Sequence, residues 1–232
     1  MLESRRMAAR ETTPQFVLAS ASPRRRELLA LTCWTAEVRP AQADEKPRPG
    51  EDAAALARRL SQAKAREVAA NSEAGSLVVA ADTVVALDGT LLGKPADAGE
   101  ASAMLAKLRG REHEVVTGLT LLVAGDAWEA HDVCCTRVPM REYTRAEAEA
   151  YVGSGAALDK AGAYGIQDRG FEPVALDQMT GCFANVMGLP LCHLVRLMRR
   201  RGIESTADVP SACQAHTHYT CLIYPQILGA DA

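Results

Sequence analysis

The feature that most constrains the fold is an apolar run from Leu77 to Leu87, in which only Asp82 and Thr83 are polar. Its first part, Leu77–Ala81, consists of leucine, valine and alanine and is of strand length, so it predicts a central β-strand. A central strand requires neighbouring strands at its edges and a layer of other elements packed on its faces. The remaining segments should therefore supply the elements that surround it.

Strands and helices alternate along the rest of the chain. The predicted strands are Phe16–Ala19, a hairpin of Thr83–Leu87 and Leu91–Leu92 across Asp88-Gly89, Glu114–Val123, and about Trp128–Met140. The predicted helices begin at the capping residues Ser22, Asp97 and Thr144, with a further helix from about Asp52 to Ala70 and a last one over Leu189–Arg201. This order indicates an α/β domain with a mixed twisted sheet and flanking helices.

The chain of 232 residues is long enough for one such domain. We place this domain at residues 15–204, after a disordered leader of residues 1–14 and before a C-terminal extension of residues 205–232. The extension lacks a clear periodic pattern, so we expect it to be an appendage that folding and activity do not need.

Composition excludes several classes of partner. Apolar residues make up 48% of the chain, yet no apolar run approaches the roughly 18 residues that span a bilayer, so no membrane partner is expected. The net charge of −3 provides no overall field for binding a nucleic-acid polymer. Seven cysteines without a secretory signal indicate reduced thiols and a cytoplasmic protein.

Asp82 is the most informative single residue. A carboxylate inside a buried strand is costly unless it is paired, protonated or bound to a metal ion. It is either an ordinary strand-end aspartate that caps a loop, or a metal ligand or general base in a dry cleft. The residue pattern alone leaves both interpretations open.

A second candidate site is the turn Ser20-Ala21-Ser22-Pro23 with Arg24, Arg25 and Arg26. A strand-to-helix turn presents free backbone N–H groups and the positive end of a helix dipole, which together bind anions. Three arginines in a first helical turn oppose that dipole, and a bound polyphosphate would compensate for the repulsion. The alternative is a capped surface helix with a solvated basic first turn.

Other polar residues gain meaning only in combination. Lys94 in a Gly-Lys-Pro turn, Lys64 beside the apolar stripe of a helix, and Asp44-Glu45 in a loop each have ordinary solvated interpretations. Together they are able to converge on a phosphate-metal site. In the glycine-containing segment Asp159–Gln167, the amide of Gln167 is suited to reading a base edge, although a tight structural loop is the alternative.

The tail contains Cys213, His216, His218 and Cys221, whose side chains have metal-ligand chemistry. Their spacing does not match common zinc sites, and alternating histidines would point apart on a strand, so we do not predict a metal site there.

These segments, taken together, resemble the Maf family of nucleotide pyrophosphatases. The resemblance covers about residues 15 to 203 and follows the family's motif order. The segments that carry it are Leu18–Leu29, Asp44-Glu45, Ala81–Val85, Leu92–Pro95, Gly110–Gly118, Asp159–Gln167 and Gly188–Leu191.

The resemblance implies an inosine triphosphate pyrophosphatase-like fold with two lobes around a cleft, and a homodimer. It implies metal-dependent hydrolysis of nucleoside triphosphates to monophosphate and pyrophosphate, with Mg²⁺ or Mn²⁺ as cofactor. By this resemblance Asp82 matches the family's proton acceptor, and Glu45, Lys64, Lys94 and Ser22 match polar residues of its cleft. We expect Asp82, Lys94 and Lys64 to be catalytic and Glu45 with Asp82 to hold the metal ion. The expected substrate-binding residues are Ser20, Ser22, Arg24, Arg25, Thr83, Lys160 and Gln167. The family's association with septum formation leaves a non-catalytic nucleotide-binding regulator as the alternative.

Arg24, Thr83 and Gln167 match the class of the family that acts on dTTP and UTP, with modified pyrimidine nucleotides as possible further substrates. A glutamine amide can pair with O4 and N3–H of uracil or thymine together. Asp168 departs from the family pattern, because a glycine is common after the glutamine, and Thr180-Gly181-Cys182 replaces a more polar segment. Both departures are expected to alter the rim of the cleft.

Overall fold

The computed structural model describes residues 15–229, so the predicted leader at residues 1–14 lies outside the described part. The strands are β1 (Phe16–Leu18), β2 (Ala36–Val38), β3 (Leu77–Leu87), β4 (Thr90–Leu92), β5 (Glu112–Val123) and β6 (Glu129–Pro139). The helices are α1 (Pro23–Ala30), α2 (Ala53–Ala69), α3 (Ala98–Leu108), α4 (Arg145–Gly153), α5 (Phe183–Met187), α6 (Leu191–Arg199), α7 (Val209–Thr217) and α8 (Tyr224–Gly229), with a short 3-10 helix at Ala161–Ala163. Between residues 15 and 229, no helix has both the length and the apolar character needed to cross a bilayer.

The six strands form one sheet in the order β2-β1-β3-β5-β6, with β4 paired to β3. Strand β1 runs parallel to β2 and β3, whereas β3, β5 and β6 are successively antiparallel. The predicted mixed sheet with flanking helices is confirmed.

The two faces of the sheet are covered differently. Helix α2 packs on one face against alternate residues of β3, including Val78, Ala80 and Val84. The opposite face carries the larger core, to which α3, α4, α5 and α6 contribute apolar side chains. Because side chains alternate along a strand, Asp82 points toward α2, whereas Thr83 points toward the opposite face.

Strand β3 is longer than the sequence pattern predicts. The chain does not break between the predicted central strand and the hairpin arm, and β3 continues through Asp82, which pairs with Gly118 of β5. Asp82 is therefore in the middle of the sheet and not at a strand end, which removes the interpretation as a loop cap.

The C-terminal segment also differs from the prediction. No element was predicted after Ser205, but α7 and α8 form there and pack on α6. Val209 and Ile227 are buried, and the Tyr219 hydroxyl donates a hydrogen bond to the Met179 carbonyl at 2.6 Å. Helices of nine and six residues are too short to be stable alone, so packing against the domain stabilises them.

Candidate functional site

The predicted site residues converge on one cleft of about 370 Å³. Every predicted residue except Asp82 lines it: Ser20, Ser22, Arg24, Arg25, Glu45, Lys64, Thr83, Lys94, Lys160 and Gln167. Asp82 is only 7% exposed and lies behind Lys64. Residues from six separate segments thus meet in a single polar depression.

The turn between β1 and α1 forms one wall of the cleft. Ser22 is the N-cap of α1, where its Oγ accepts from the backbone N–H of Arg25 at 3.5 Å, and Pro23 occupies the first helical position. The Ser20 Oγ accepts from the backbone N–H of Ser22 at 3.2 Å. No acidic residue is present in the first turn of α1, so the positive end of its dipole is not neutralised from within the helix.

Arg25 connects this turn to the sheet. Its guanidinium donates to the Ser20 Oγ at 3.2 Å, the Thr83 Oγ1 at 3.1 Å and the Gly188 carbonyl at 2.9 Å. Thr83 also shares a hydrogen bond of 2.9 Å with Thr117. Burial lowers the pKa of Arg25, but a guanidinium remains charged at any physiological pH. A fixed positive charge therefore lies at the base of the cleft.

Lys64 joins the two carboxylates that the sequence singled out. Its Nζ lies 2.5 Å from the Glu45 Oε1 and 2.5 Å from the Asp82 Oδ1. Helix α2 places Lys64 over β3, where its side chain is 10% exposed, so the ordinary interpretation as a solvated lysine does not hold. The three groups form a line from the interior of the sheet to the surface loop that carries Glu45.

The two carboxylates differ in basicity because their environments differ. Burial raises the pKa of Asp82, although the charge and hydrogen bond of Lys64 oppose that effect. Partial burial also acts to raise the pKa of Glu45, but the hydrogen bond and charge of Lys64 outweigh it, and the net shift is downward. Asp82 is thus the better proton acceptor of the pair, and Glu45 is the more persistent anion.

This donor set is compatible with a divalent cation. Mg²⁺ in nucleotide enzymes commonly uses one or two carboxylates, phosphate oxygens and water. Glu45, which lines the cleft, and Asp82, which lies behind Lys64, supply two carboxylates on either side of one ammonium group. From residue 15 to residue 229, no cluster of three or more His, Cys, Asp or Glu side chains is arranged to hold a metal by itself, so the remaining ligands would have to come from substrate and solvent.

The predicted Cys/His group in the tail has a different geometry from the assumed strand. Cys213 and His216 belong to α7, and His218 follows it with a φ of 53°. All seven cysteines lie in the described part of the chain and none of them forms a disulfide there.

The far wall of the cleft is formed by the segment from Asp159 to Asp168. Arg24 pairs with Asp159 at 3.2 Å across the cleft. Lys160 is buried, and its ammonium is held by the Ala156 carbonyl at 2.5 Å and the Asp159 carboxylate at 2.7 Å. Gln167 donates from Nε2 to the Asp168 Oδ1 at 2.7 Å.

Sequence reasoning missed three groups that organise this site: the Asp159 carboxylate, the Asp168 carboxylate and the Gly188 carbonyl. Asp168 carried a signal, because it departs from the family's glycine. Gly188 has a φ of 107° and ends α5, which brings its carbonyl to Arg25, and no local pattern in the sequence shows that contact.

Comparison with known proteins identifies the family. The model of the Maf-like protein family matches residues 15–201. The chain belongs to the Maf family. The family match covers β1 through α6 and therefore includes every residue that lines the cleft, whereas α7 and α8 lie beyond it.

Several relatives bear the name dTTP/UTP pyrophosphatase. One from Myxococcus xanthus is 50% identical over 188 residues, which is 81% of this chain and 93% of the relative. Another from Dehalococcoides mccartyi is 45% identical over 189 residues, covering 82% and 83%. A third from Anaeromyxobacter dehalogenans is 44% identical and covers 85% and 99%. A solved nucleoside-triphosphatase, or dITP/XTP pyrophosphatase, from Mycobacterium abscessus aligns over 88% of this chain and 94% of its own, at 15% identity and a TM-score of 0.39.

Proposed function

We propose that this chain hydrolyses dTTP and UTP to the nucleoside monophosphate and pyrophosphate. One observation carries the proposal: the positive end of the α1 dipole, the guanidinium groups of Arg24 and Arg25 and three lysines face a single cleft, and the carboxylate with the raised pKa lies directly behind one of those lysines. The relatives named dTTP/UTP pyrophosphatase, which match most of this chain, support the same reaction and substrates.

The triphosphate is bound by the wall that α1 forms. The positive end of its dipole, the hydroxyls of Ser20 and Ser22 and the guanidinium of Arg25 are suited to phosphate oxygens. Lys94, on the turn after β4, lines the same cleft, where it stabilises negative charge that develops as pyrophosphate leaves.

Lys64 links binding to proton transfer. The phosphate groups of the substrate compete with Glu45 and Asp82 for the Lys64 ammonium, because that ammonium contacts both carboxylates and also lines the cleft. When Lys64 turns to phosphate, Asp82 loses the charge that holds its pKa down, and burial then raises that pKa further. The carboxylate becomes a stronger base when substrate is present, and it accepts the proton of the water that attacks the α-phosphorus.

Glu45 and Asp82 would hold the divalent ion, Mg²⁺ or Mn²⁺, that the family resemblance implies. Such an ion supplies neutralisation of phosphate charge and polarisation of the P–O bonds. Activity is expected to disappear in chelator and to return with Mg²⁺ or Mn²⁺, and full activity of a metal-free preparation would exclude this part of the proposal.

We further propose that the protein acts in the cytoplasm as a homodimer. The free thiols favour a reducing compartment, and the family resemblance implies the dimer. Light scattering after size-exclusion chromatography tests the assembly, and a monomer at micromolar concentration would refute it.

The decisive experiment is pyrophosphate release from a panel of dTTP, UTP, CTP, ATP and GTP, with the mononucleotide product identified by chromatography. We expect kcat/KM for dTTP and UTP to exceed that for the purine nucleotides by about tenfold or more. Tight nucleotide binding without pyrophosphate release would instead support a non-catalytic regulator. Release of single phosphate in place of pyrophosphate would show that attack occurs at the γ-phosphorus.

A further inference from the structure

Asp168 makes a set of contacts that the proposed reaction does not use. Its Oδ2 accepts from the Tyr151 hydroxyl at 2.6 Å and lies 3.2 Å from the Lys160 ammonium. Its Oδ1 accepts from the Gln167 Nε2 at 2.7 Å. The carboxylate therefore joins α4, the buried lysine and the amide that faces the cleft.

The space around this carboxylate is confined. A Cβ placed on Gly165 would lie 2.6 Å from the Asp168 Oδ1, so the carboxylate packs directly against the Gly165 backbone. The backbone N–H of Asp168 also donates to the Gly165 carbonyl at 3.1 Å, which closes a tight turn. Contacts of both carboxylate oxygens and of the backbone N–H thus hold Asp168 in place.

The chemistry of a carboxylate decides the orientation of the neighbouring amide. An ionised carboxylate only accepts hydrogen bonds, and the Asp168 carboxylate is surrounded by donor groups: the Lys160 ammonium lies 3.2 Å from it and the Tyr151 hydroxyl donates to it. If the Gln167 amide were flipped, its carbonyl oxygen would face the Asp168 Oδ1 at a distance where two acceptors repel. The amide is therefore fixed with its nitrogen toward Asp168, which leaves one N–H and the carbonyl oxygen for a ligand.

We propose that Asp168 is a positioning residue that makes the site reject cytosine nucleotides, an inference that rests on the function proposed above. Uracil and thymine present an acceptor at O4 beside a donor at N3, and the fixed amide matches both with its free N–H and its carbonyl oxygen. Cytosine presents a donor at position 4 and an acceptor at N3, which is the reverse order. Pairing with cytosine requires the flipped amide, and Asp168 prevents that flip.

The test compares kcat/KM for UTP and CTP in the wild type and in Asp168→Asn. An asparagine side chain offers a donor or an acceptor, so it tolerates both orientations of the Gln167 amide. We expect wild-type protein to prefer UTP by at least about tenfold, and the variant to lose most of that preference through faster reaction with CTP. Asp168→Ser, whose hydroxyl also donates or accepts, provides a second variant if the first does not fold.

Tyr151→Phe is the matched control. It deletes one hydrogen bond to the same carboxylate but leaves the contact between Asp168 and Gln167, so the UTP to CTP ratio is expected to stay at the wild-type value. In a Gln167→Ala background, Asp168→Asn should cause no additional change in the ratio, because no amide remains to be positioned.

The outcomes separate this inference from the proposed function. Wild-type protein that hydrolyses neither UTP nor dTTP would overturn the proposed function. Wild-type protein that hydrolyses CTP as well as UTP would overturn only the role of Asp168. An unchanged UTP to CTP ratio in Asp168→Asn would also overturn the role of Asp168. An equal shift of that ratio in Tyr151→Phe would do the same, because it would assign the effect to anchoring of the loop.

Discussion

At the scale of single residues, Asp82 combines burial, a raised pKa and contact with a cleft lysine. Asp82→Asn keeps the shape and removes the base, so kcat should fall by a factor on the order of 10² or more while KM changes less. Asp88→Asn is a control with the same chemical change in the turn between β3 and β4, outside the cleft lining. Initial rates of pyrophosphate release measure both. Wild-type turnover in Asp82→Asn would remove Asp82 from the mechanism.

Gln167 should determine which nucleobase is preferred, because the phosphate-binding groups contact only the triphosphate, which all of these nucleotides share. Gln167→Ala is expected to narrow the gap between UTP and ATP by about tenfold, mainly through slower reaction with UTP. The kcat/KM values for both nucleotides in wild type and variant measure this. An equal loss with every nucleotide would instead make Gln167 a structural or general catalytic residue.

The sequence predicted the identities of the cleft residues better than their contacts. Ser22 and Pro23 predicted a helix start, and that start was confirmed because capping depends on neighbouring residues alone. Lys64 looked like an ordinary lysine at the edge of an apolar stripe. Its contact with Asp82 depends on how α2 crosses β3, and this is a tertiary property that local patterns do not contain.

At the scale of elements, the approach of α2 to the sheet depends on Gly118 in β5. A Cβ at this position would lie 2.3 Å from the Ala57 carbonyl oxygen of α2, which is backbone and has little freedom to move. Gly118→Ala should therefore lower the free energy of unfolding by about 1–3 kcal/mol, as overpacking does. Turnover should fall too, because α2 carries Lys64. Denaturant unfolding measures the stability.

Gly153→Ala is the control for that experiment. Gly153 is the last residue of α4, and a Cβ there meets nothing within 4 Å, so its stability should be unchanged or slightly higher. Equal unfolding midpoints for Gly118→Ala and the wild type would mean that α2 moves away from the sheet at no cost.

His113 in β5 should make stability depend on pH. Its Nε2 shares a hydrogen bond of 2.8 Å with the Tyr164 hydroxyl, its Nδ1 has no partner, and burial lowers its pKa from 6.5 to about 4. Between pH 4 and pH 6.5 the unfolded chain binds a proton at His113 that the folded chain does not bind. The free energy of unfolding is therefore unaffected by His113 above pH 6.5 and decreases as the pH falls toward 4, by about 3 kcal/mol in total.

Unfolding free energies measured at several pH values should show this slope in the wild type and a shallower one in His113→Gln. His216→Gln, which replaces an exposed histidine of α7, serves as the control and should follow the wild-type curve. Identical slopes in all three proteins would assign the acid sensitivity to other groups.

Element boundaries were predictable where burial and capping were strong. The strands β5 and β6 and the helix α2 were predicted to within a few residues, since each has a long periodic pattern. Strand β2 and helix α5 were not predicted. They have three and five residues, and their formation depends on pairing with β1 and on packing against the sheet.

At the scale of the whole molecule, the family match ends at residue 201 but the packed body of the protein does not. Helices α7 and α8 cover an apolar surface that α5 and α6 present, which includes Phe183 and Leu191. The ring of Tyr219 lies 5.7 Å from that of Phe183. No residue of the described part after 204 lines the nucleotide cleft. We therefore expect this segment to affect stability and not chemistry.

A chain that ends at Ser205 tests that expectation together with the prediction, made from the sequence alone, that folding does not need the segment. Truncation exposes the surface around Phe183 and Leu191 to water, so the unfolding midpoint should fall and the protein should aggregate more readily. The folded fraction of the truncated protein should keep the wild-type KM for UTP. Two point variants make the same comparison without truncation. Ile227→Ala truncates a side chain at a residue that is 9% exposed and should lower the free energy of unfolding by about 2 kcal/mol. Leu222→Ala truncates a side chain at a residue that is 71% exposed and should leave the free energy of unfolding almost unchanged. If the shortened chain and Ile227→Ala both unfold at the wild-type midpoint, α7 and α8 do not stabilise the domain, and the C-terminal segment is an appendage after all.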